Sequence, residues 1–392
     1  MPNLLTPHLL MTIHKFYSEG LMRLLIVNFC KAMFRPKLIG ADRMPKGPCF
    51  FYGNHANDMD PFFLNTFTPF GDGTAGVMTM EQFRTPLKAH LMQSADLIGT
   101  RKHLPEPNLI RFIMQKIKEN RRFCIYPEGG RRWDGRPIDD WIESTAKVFV
   151  KLGVPVYPII THGSYVGWPR WAAYPRPARI EVEVLDPILF DRKTPLPEAL
   201  ALLKSKIDFD ENVVHERIRP KRAYKPAQGI DKLLYRDPDT GENNGLYTPD
   251  GTIVQNRTGT LRYTMHPDSR LMDADGALLT TAEVYDQIRD LDLVRGKDGA
   301  YISNTVDVFE EVEFPNLEPK GSATTQFFDD HIRVKGNQID VHVPLEDIRY
   351  ASIEKNYKWQ LYLPDRMLQL QFTHGGSVLQ WDDTLKRLRA TS

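Results

Sequence analysis

Cys49-Phe50-Phe51-Tyr52-Gly53-Asn54-His55-Ala56-Asn57-Asp58-Met59-Asp60-Pro61 is the stretch on which the fold turns. Four apolar residues ending at a glycine read as a short buried strand, and the run from Pro61 to Phe67 opens a helix. Strand, polar turn and helix in that order are the repeating unit of an α/β domain, and such folds place their ligands where a strand gives way to the next helix. The turn carries one histidine and two aspartates. His55 is suited to general-base work near neutral pH, and a carboxylate on its other ring nitrogen would fix the tautomer and stabilise the imidazolium. Asp60 is the natural partner. Five residues along a regular helix amount to about 500°, which would point the two side chains about 140° apart, so the pair requires a turn between them. Asp60 also serves as an ordinary N-cap ahead of Pro61, and the two roles are compatible.

Working outward, strands and helices alternate. Helical stretches over Pro86 to Ala95, Asn108 to Lys118 and Ile142 to Leu152 separate the strands Asp96-Leu97-Ile98, Phe123 to Tyr126 and Val154 to Ile160. Residues Ala178 to Leu185 alternate Ile180, Val182 and Val184 inward with Glu181 and Glu183 outward, the pattern of an edge or half-covered strand. The expected fold class is therefore α/β, a mostly parallel or mixed central sheet flanked by helices. Upstream, residues 8 to 34 place Leu9, Leu10, Ile13, Phe16, Tyr17, Leu21, Leu24, Leu25 and Val27 at helical spacing, predicting one amphipathic helix that either packs on a core or lies in a membrane interface. Downstream, the character changes after about residue 212. Arg217 to Lys225 is basic and proline-punctuated, and Asp237 to Asn244 is a run of turn formers. Four segments follow: 1–46, an N-terminal amphipathic segment; 47–215, the α/β domain; 216–325, a linker and accessory region with a hairpin over Thr252 to Thr264 and a helix over Thr281 to Leu291; and 326–392, a small β-rich domain closed by a helix containing Trp381.

The composition bounds what this chain does. It has 392 residues, 51 Lys+Arg against 50 Asp+Glu, and a mean hydropathy of -0.40, which is globular and long enough for two or three domains. Residues 1–230 carry 33 basic and 23 acidic side chains and residues 231–392 carry 18 and 27, so the near-neutral total hides a basic first half suited to phosphates or an anionic surface. Cys30, Cys49 and Cys124 are too scattered for a disulfide framework or a cysteine zinc site, and no metal is expected. No window approaches the roughly 20 apolar residues of a spanning helix, and the N-terminus lacks the order of a signal peptide, so the chain reads as mature protein. Gly163-Ser164-Tyr165-Val166-Gly167 puts its serine one position too early for a nucleophile elbow. Walker loops, dinucleotide fingerprints and nucleic-acid modules are missing, and nucleic acid is not an expected partner.

A second segment carries chemistry: Phe123-Cys124-Ile125-Tyr126-Pro127-Glu128-Gly129-Gly130-Arg131-Arg132. A strand running into Pro-Glu-Gly-Gly and then paired arginines gives close backbone approach, a carboxylate and two cations, a set suited to a phosphate or acyl-transfer site. Taken with the first segment, it resembles the glycerolipid acyltransferase family, PlsC-like, whose best-known members are 1-acylglycerol-3-phosphate acyltransferases. The family's Asn-His, four residues, Asp motif is met by Asn54-His55 and Asp60. Its second motif, ending in arginine, is met by Leu97-Ile98-Gly99-Thr100-Arg101. Its Pro-Glu-Gly-Thr-Arg-Ser motif is met by Pro127, Glu128, Gly129 and Arg131, with Gly130 for threonine and Arg132 for serine. Its proline-centred apolar strand is met by Val154-Pro155-Val156-Tyr157-Pro158. The likeness covers roughly residues 20 to 210.

The resemblance implies a fold of the acyltransferase type and an O-acyl transfer. His55, held by Asp60, would deprotonate an acceptor hydroxyl that attacks the thioester of acyl-CoA or acyl-carrier protein, with no cofactor. Asn54, Arg101, Glu128, Gly129, Gly130 and Arg131 would bind substrate, Arg101 through the acceptor phosphate. The implied acceptor is a membrane lysophospholipid, foremost 1-acylglycerol-3-phosphate, with glycerol phosphate, another lysolipid or an alcohol as the alternative, and a non-catalytic lipid-binding protein on the same fold as a third reading. The implied location is the cytoplasmic side of a membrane, peripheral or monotopic, with the N-terminal helix in the interface. The strand pattern of residues 326–392 is similar to a pleckstrin-homology or GRAM-type domain.

Overall fold

The computed structural model describes residue 17 and residues 19–101, 106–139, 141–313 and 316–391. They form two units: Met1–Pro169 with Pro175–Arg222, and Arg170–Tyr174 with Ala223–Ser392. The first unit is built on seven strands, β1 (Lys37–Ile39), β2 (Cys49–Gly53), β3 (Ala75–Thr79), β4 (Leu97–Thr100), β5 (Arg122–Ile125), β6 (Val156–His162) and β7 (Glu181–Val184). Their order across the sheet is β1-β7-β6-β2-β5-β3-β4. From β6 to β4 neighbours run parallel; β7 is antiparallel to β6, and β1 lies parallel to β7. The mixed sheet matches the expected class.

β2 explains why the sheet forms where it does. All five of its residues are buried, and period-2 alternation sends them to two different cores. Phe50 and Tyr52 join Phe123, Phe149 and Val156 on one face, with the Phe50 and Phe149 rings 4.7 Å apart. Cys49 and Phe51 join Phe34, Phe63, Cys124 and Ile159 on the other. Truncating Phe50 to alanine costs about 3–5 kcal/mol on the usual scale for a buried aromatic. The last residue of the strand is glycine because a Cβ at Gly53 would come within 2.6 Å of the Ile159 carbonyl oxygen.

Helices cover both faces: α1 (Asn28–Phe34), α2 (Asp60–Asn65), α3 (Pro86–Ser94), α4 (Pro107–Lys118), α5 (Glu143–Leu152), the single turn α6 (Ser164–Gly167) and α7 (Leu196–Lys206). The N-terminal helix is described from residue 19 onward, passing through a π-helical turn at Arg23–Val27 into α1; residues 8–16 and 18 of the expected helix lie outside the described residues. Its inner face is core: Cys30 and Phe34 are fully buried. Of the two positions its alternation predicts, edge or half-covered, β7 does not take the edge. The short β1 pairs along its outer side, Lys37 opposite Glu181, which is why Glu181 is only 8 % exposed.

The second unit begins with a small antiparallel sheet, β8 (Leu246–Tyr247), β9 (Ile253–Asn256), β10 (Leu261–Met265), β11 (Leu271–Met272) and β12 (Leu278–Leu279). β9 and β10 form the expected hairpin, and α8 (Thr281–Asp290) is the expected helix, started by a Thr280/Glu283 capping box. An antiparallel sheet of seven strands follows, β13 (Ile302–Glu313), β14 (Asn316–Phe327), β15 (His331–Gly336), β16 (Asp340–Pro344), β17 (Tyr350–Glu354), β18 (Lys358–Tyr362) and β19 (Met367–Gln371), in the order β16-β15-β14-β13-β19-β18-β17 and closed by α9 (Val378–Thr391). Trp381 of α9 is fully buried, with Phe327, Trp359 and Phe372 around it. This sheet starts at β13 (Ile302–Glu313), so the division at 326 falls inside β14 (Asn316–Phe327). The acidic register of β13 hides its buried Ile302, Val306 and Val308.

Candidate active site

Because β2 and β5 are parallel neighbours, the loops that follow them leave from the same edge of the sheet. They are stitched together. The His55 amide donates to Glu128 Oε2 at 3.1 Å and the Arg132 amide donates to the His55 carbonyl at 2.8 Å. Glu128 and Arg132 form a buried ion pair, with Arg132 Nε donating to Oε1 at 3.0 Å and a second bond from Nη2. Burial is the largest influence on the Glu128 carboxyl and pushes its pKa up, opposed by the Arg132 guanidinium. The Tyr126 ring lies against the His55 imidazole, centroids 4.6 Å apart.

The turn that the His55–Asp60 pair requires is present. The Asp60 amide donates to the Asn57 carbonyl, and His55 Nδ1 meets Asp60 Oδ2 at 2.9 Å. The same oxygen accepts from the amides of Ala56 at 2.8 Å and Asn57 at 2.9 Å, while Oδ1 accepts from the Ser164 hydroxyl. Asp60 is therefore not the N-cap of α2. Met59 holds that position and Asp60 is the first helical residue; its carboxylate caps the loop before it. Four donors and full burial hold this carboxylate as an acceptor. Among the described residues nothing bonds His55 Nε2, and the His55 side chain is 21 % exposed.

Asn54 sits beneath this layer, fully buried. Its Nδ2 donates to the Thr161 carbonyl at 3.2 Å and to Glu211 Oε1 at 2.9 Å, and its Oδ1 accepts from the Thr161 amide at 2.8 Å. All its polar atoms are committed to the scaffold, so it positions the His55 loop rather than facing a ligand. Glu211 is also fully buried and accepts from the amides of Gly163 and Tyr165. Burial pushes its pKa up to about 8, with Arg132 opposing and Asp60 adding to the rise. Gly129 has φ +66°, a conformation in which a side chain would be strained. Gly130 follows it in the same turn. Arg131 reaches across to Asp58 in the first loop, 3.2 Å from Nε to Oδ1. Arg101 stands apart, at the end of β4 and three strands from β2, about 14 Å by strand spacing. Its amide donates to Glu106 Oε1 at 3.0 Å, and its side chain is 31 % exposed.

Three residues of this network escape the sequence reading in their roles. Ser164 lies in the Gly-Ser-Tyr-Val-Gly run that fails as a nucleophile elbow, Glu211 belongs to no motif, and Arg132 stands where the family motif has serine. On the other side of Tyr126 an apolar cavity opens, walled by Met22, Phe62, Val77, Leu97 and Tyr126, with Glu19 and Arg121 also in its lining. Among the described residues there is no group of three His, Cys, Asp or Glu side chains able to hold a metal, and no helix is long and apolar enough to cross a membrane.

Residues 35–162, within the first unit, match the family model described as Acyltransferase. Two curated relatives are 1-acyl-sn-glycerol-3-phosphate acyltransferases of Limnanthes alba, 30% identical over 156 residues, and Limnanthes douglasii, 30% identical over 165 residues. These alignments take in 37% and 40% of this chain and 52% and 55% of the relatives, so the chain spans about half the length of the curated relatives it matches. Among solved structures, the 1-acyl-sn-glycerophosphate (LPA) acyltransferase PlsC of Thermotoga maritima aligns at TM-score 0.39 and 20% identity, over 50% of this chain and 93% of its own. The N-terminal PH domain of human ARAP2 aligns at TM-score 0.18 and 12% identity, over 24% of this chain and 81% of its own.

Proposed function

We propose that this protein transfers a fatty acyl group from acyl-CoA or acyl-carrier protein to the hydroxyl of a lysophospholipid, foremost 1-acylglycerol-3-phosphate, giving phosphatidate. The observation that carries the reading is the His55–Asp60 contact at 2.9 Å, with the carboxylate fixed by three further donors. Asp60 keeps the Nδ1 proton in place, so Nε2 is the basic nitrogen. It takes the hydroxyl proton as the oxygen attacks the thioester carbonyl, a C–O bond forms, the C–S bond breaks, and the imidazolium returns the proton to the leaving thiolate. The buried Asp60 charge stabilises the imidazolium between those two steps.

The apolar lining of the cavity beside Tyr126 supports contact with part of a fatty acyl chain there. Arg131 and Arg101, guanidinium forks on the same edge, suit the acceptor phosphate. Glycerol phosphate would engage the same two arginines and leave the cavity to the donor alone, which makes it the second reading. The exposed side chains Tyr17, Leu21, Leu24 and Leu25 support a membrane-associated location for the N-terminal helix. The test is product analysis by mass spectrometry from 1-acylglycerol-3-phosphate and mixed acyl-CoA, comparing the wild type with His55→Ala. Phosphatidate from the wild type alone is expected. Equal product from both variants removes His55 as the base, and consumption of glycerol phosphate instead moves the acceptor.

A further inference from the structure

The edge of the sheet that carries His55 holds a second group of charges, one that the proposed reaction does not use. An open depression there is lined by Arg35, Lys37, Arg179, Ile180, Glu181 and Arg217. The register fixes its position. Gly53 at the end of β2 pairs with Ile159 of β6, His162 at the end of β6 pairs with Glu181 of β7, and Glu181 pairs with Lys37 of β1. The depression therefore opens on the edge from which His55 emerges, three strands away, about 14 Å by strand spacing. Arg217 is spoken for by Glu181, 3.0 Å away. Arg35, Lys37 and Arg179 are exposed and have no carboxylate within ion-pair distance among the described residues. Three cations gathered around one depression repel one another, and an anion bound among them relieves that repulsion.

A second observation points to the source of the anion. Tyr17, Leu21, Leu24 and Leu25 are 70%, 47%, 64% and 58% exposed, and Lys31 and Arg35 are exposed further along. The four apolar residues lie up to and within the π-helical turn, Lys31 lies on α1, and Arg35 is the left-handed residue that ends it. Along the segment the exposed side chains are apolar first and cationic where the helix ends at the depression, the order that a lipid interface selects: tails first, phosphates beside them.

We propose that Arg35, Lys37 and Arg179 form a binding site for the phosphate headgroups of anionic membrane lipids, and that this site turns the His55 edge of the sheet toward the bilayer. The inference deepens the membrane-associated reading above and rests on it. It is tested by flotation of the full chain with vesicles of phosphatidylcholine alone or mixed with phosphatidylglycerol. Each cation near an anionic surface contributes about fivefold to partition at low salt, so Arg35→Gln/Lys37→Gln/Arg179→Gln is expected to bind anionic vesicles about a hundredfold more weakly, and Arg179→Gln alone about fivefold. Binding to phosphatidylcholine vesicles should be unchanged in both variants. Turnover in neutral detergent micelles, with its KM for acyl-CoA, is followed alongside. Undiminished binding of the triple variant to anionic vesicles overturns the proposal. So does a raised KM for acyl-CoA with unchanged vesicle binding, since the cations would then hold the donor's phosphates. Vesicle binding does not depend on turnover: a His55→Ala protein that floats like the wild type, or a wild type that floats but makes no product, bears on the reaction and leaves the lipid site standing.

Discussion

Replacing Asp60 by asparagine separates charge from scaffold. All four partners of its carboxylate are donors: His55 Nδ1 and the amides of Ala56 and Asn57 at Oδ2, and the Ser164 hydroxyl at Oδ1. Asparagine can satisfy them in one orientation, with its oxygen toward the three N–H groups and its NH2 toward Ser164, whose hydroxyl turns round to accept. The loop then keeps its shape and His55 keeps its tautomer, but the imidazolium loses its counter-charge. A hydrogen bond to a charged group is worth about 1.5–3 kcal/mol, which at 1.4 kcal/mol per decade predicts a loss of kcat/KM of about ten- to a hundredfold. Asp60→Ala is a poorer probe, because it strands buried donors at about 1–3 kcal/mol each and acts on stability as much as on turnover. The assay is steady-state acylation with thermal melts of wild type, Asp60→Asn and His55→Ala side by side. A full-rate Asp60→Asn enzyme, or one as inactive as His55→Ala with an unchanged melting temperature, would refute the assignment of the carboxylate as stabiliser of a charged His55.

Ser164→Ala removes a single donor to Asp60 and should lower kcat several-fold at nearly unchanged KM, far less than His55→Ala, in the same assay. Arg101→Ala and Arg131→Ala should each raise the KM for the phosphate-bearing acceptor more than they lower kcat; the arginine nearer the phosphate gives the larger rise in initial-rate measurements, and no change in either would exclude them as its ligands. Leu97→Trp fills the cavity beside Tyr126 and should shift donor preference toward shorter acyl chains, read from product masses with mixed acyl-CoA. Glu211, raised by burial from an ordinary 4.5 to about 8, holds its proton more tightly folded than unfolded, so its contribution to stability is full below about pH 4.5 and is lost as pH rises through about 8. Glu211→Gln should flatten that part of the melting-temperature profile between pH 5 and 8, and an unchanged slope would remove Glu211 from the balance.

What was legible in the sequence was local. The strand–turn–helix at Cys49 to Phe67 and the Pro127-Glu128-Gly129 turn are short spans in which backbone geometry and chemistry dictate residue types at fixed spacing, and the parallel pairing of β2 with β5 brings them together. What was hidden is long-range. Ser164 meets Asp60 across 104 positions and Glu211 meets Asn54 across 157, and neither spacing leaves a periodicity. Asn54 reads as a ligand residue because it adjoins His55, yet burial commits it to Thr161 and Glu211. Asp60 reads as a helix cap, whereas its carboxylate turns back on the loop. In the second unit β13 was missed because Asp307, Glu310 and Glu311, half-buried along the strand, mask the apolar positions between them.

The five residues Arg170–Tyr174 give the chain an unusual order of passage. It leaves the first unit, contributes this short segment to the second, returns to complete the first through Arg222, and only then supplies the rest of the second. Within the second unit the segment is anchored from several sides: Arg170 donates to the carbonyls of Ile353 and Lys355, Ala173 donates to Gln228, and Trp171 is fully buried. A protease or a gene truncation acting near residue 222 therefore does not yield two whole halves. The N-terminal fragment keeps a tryptophan that belongs elsewhere, and the C-terminal fragment carries a gap where five residues should be. Two such fragments mixed in solution have a specific reason to recombine, and fragment complementation is the behaviour this threading encodes.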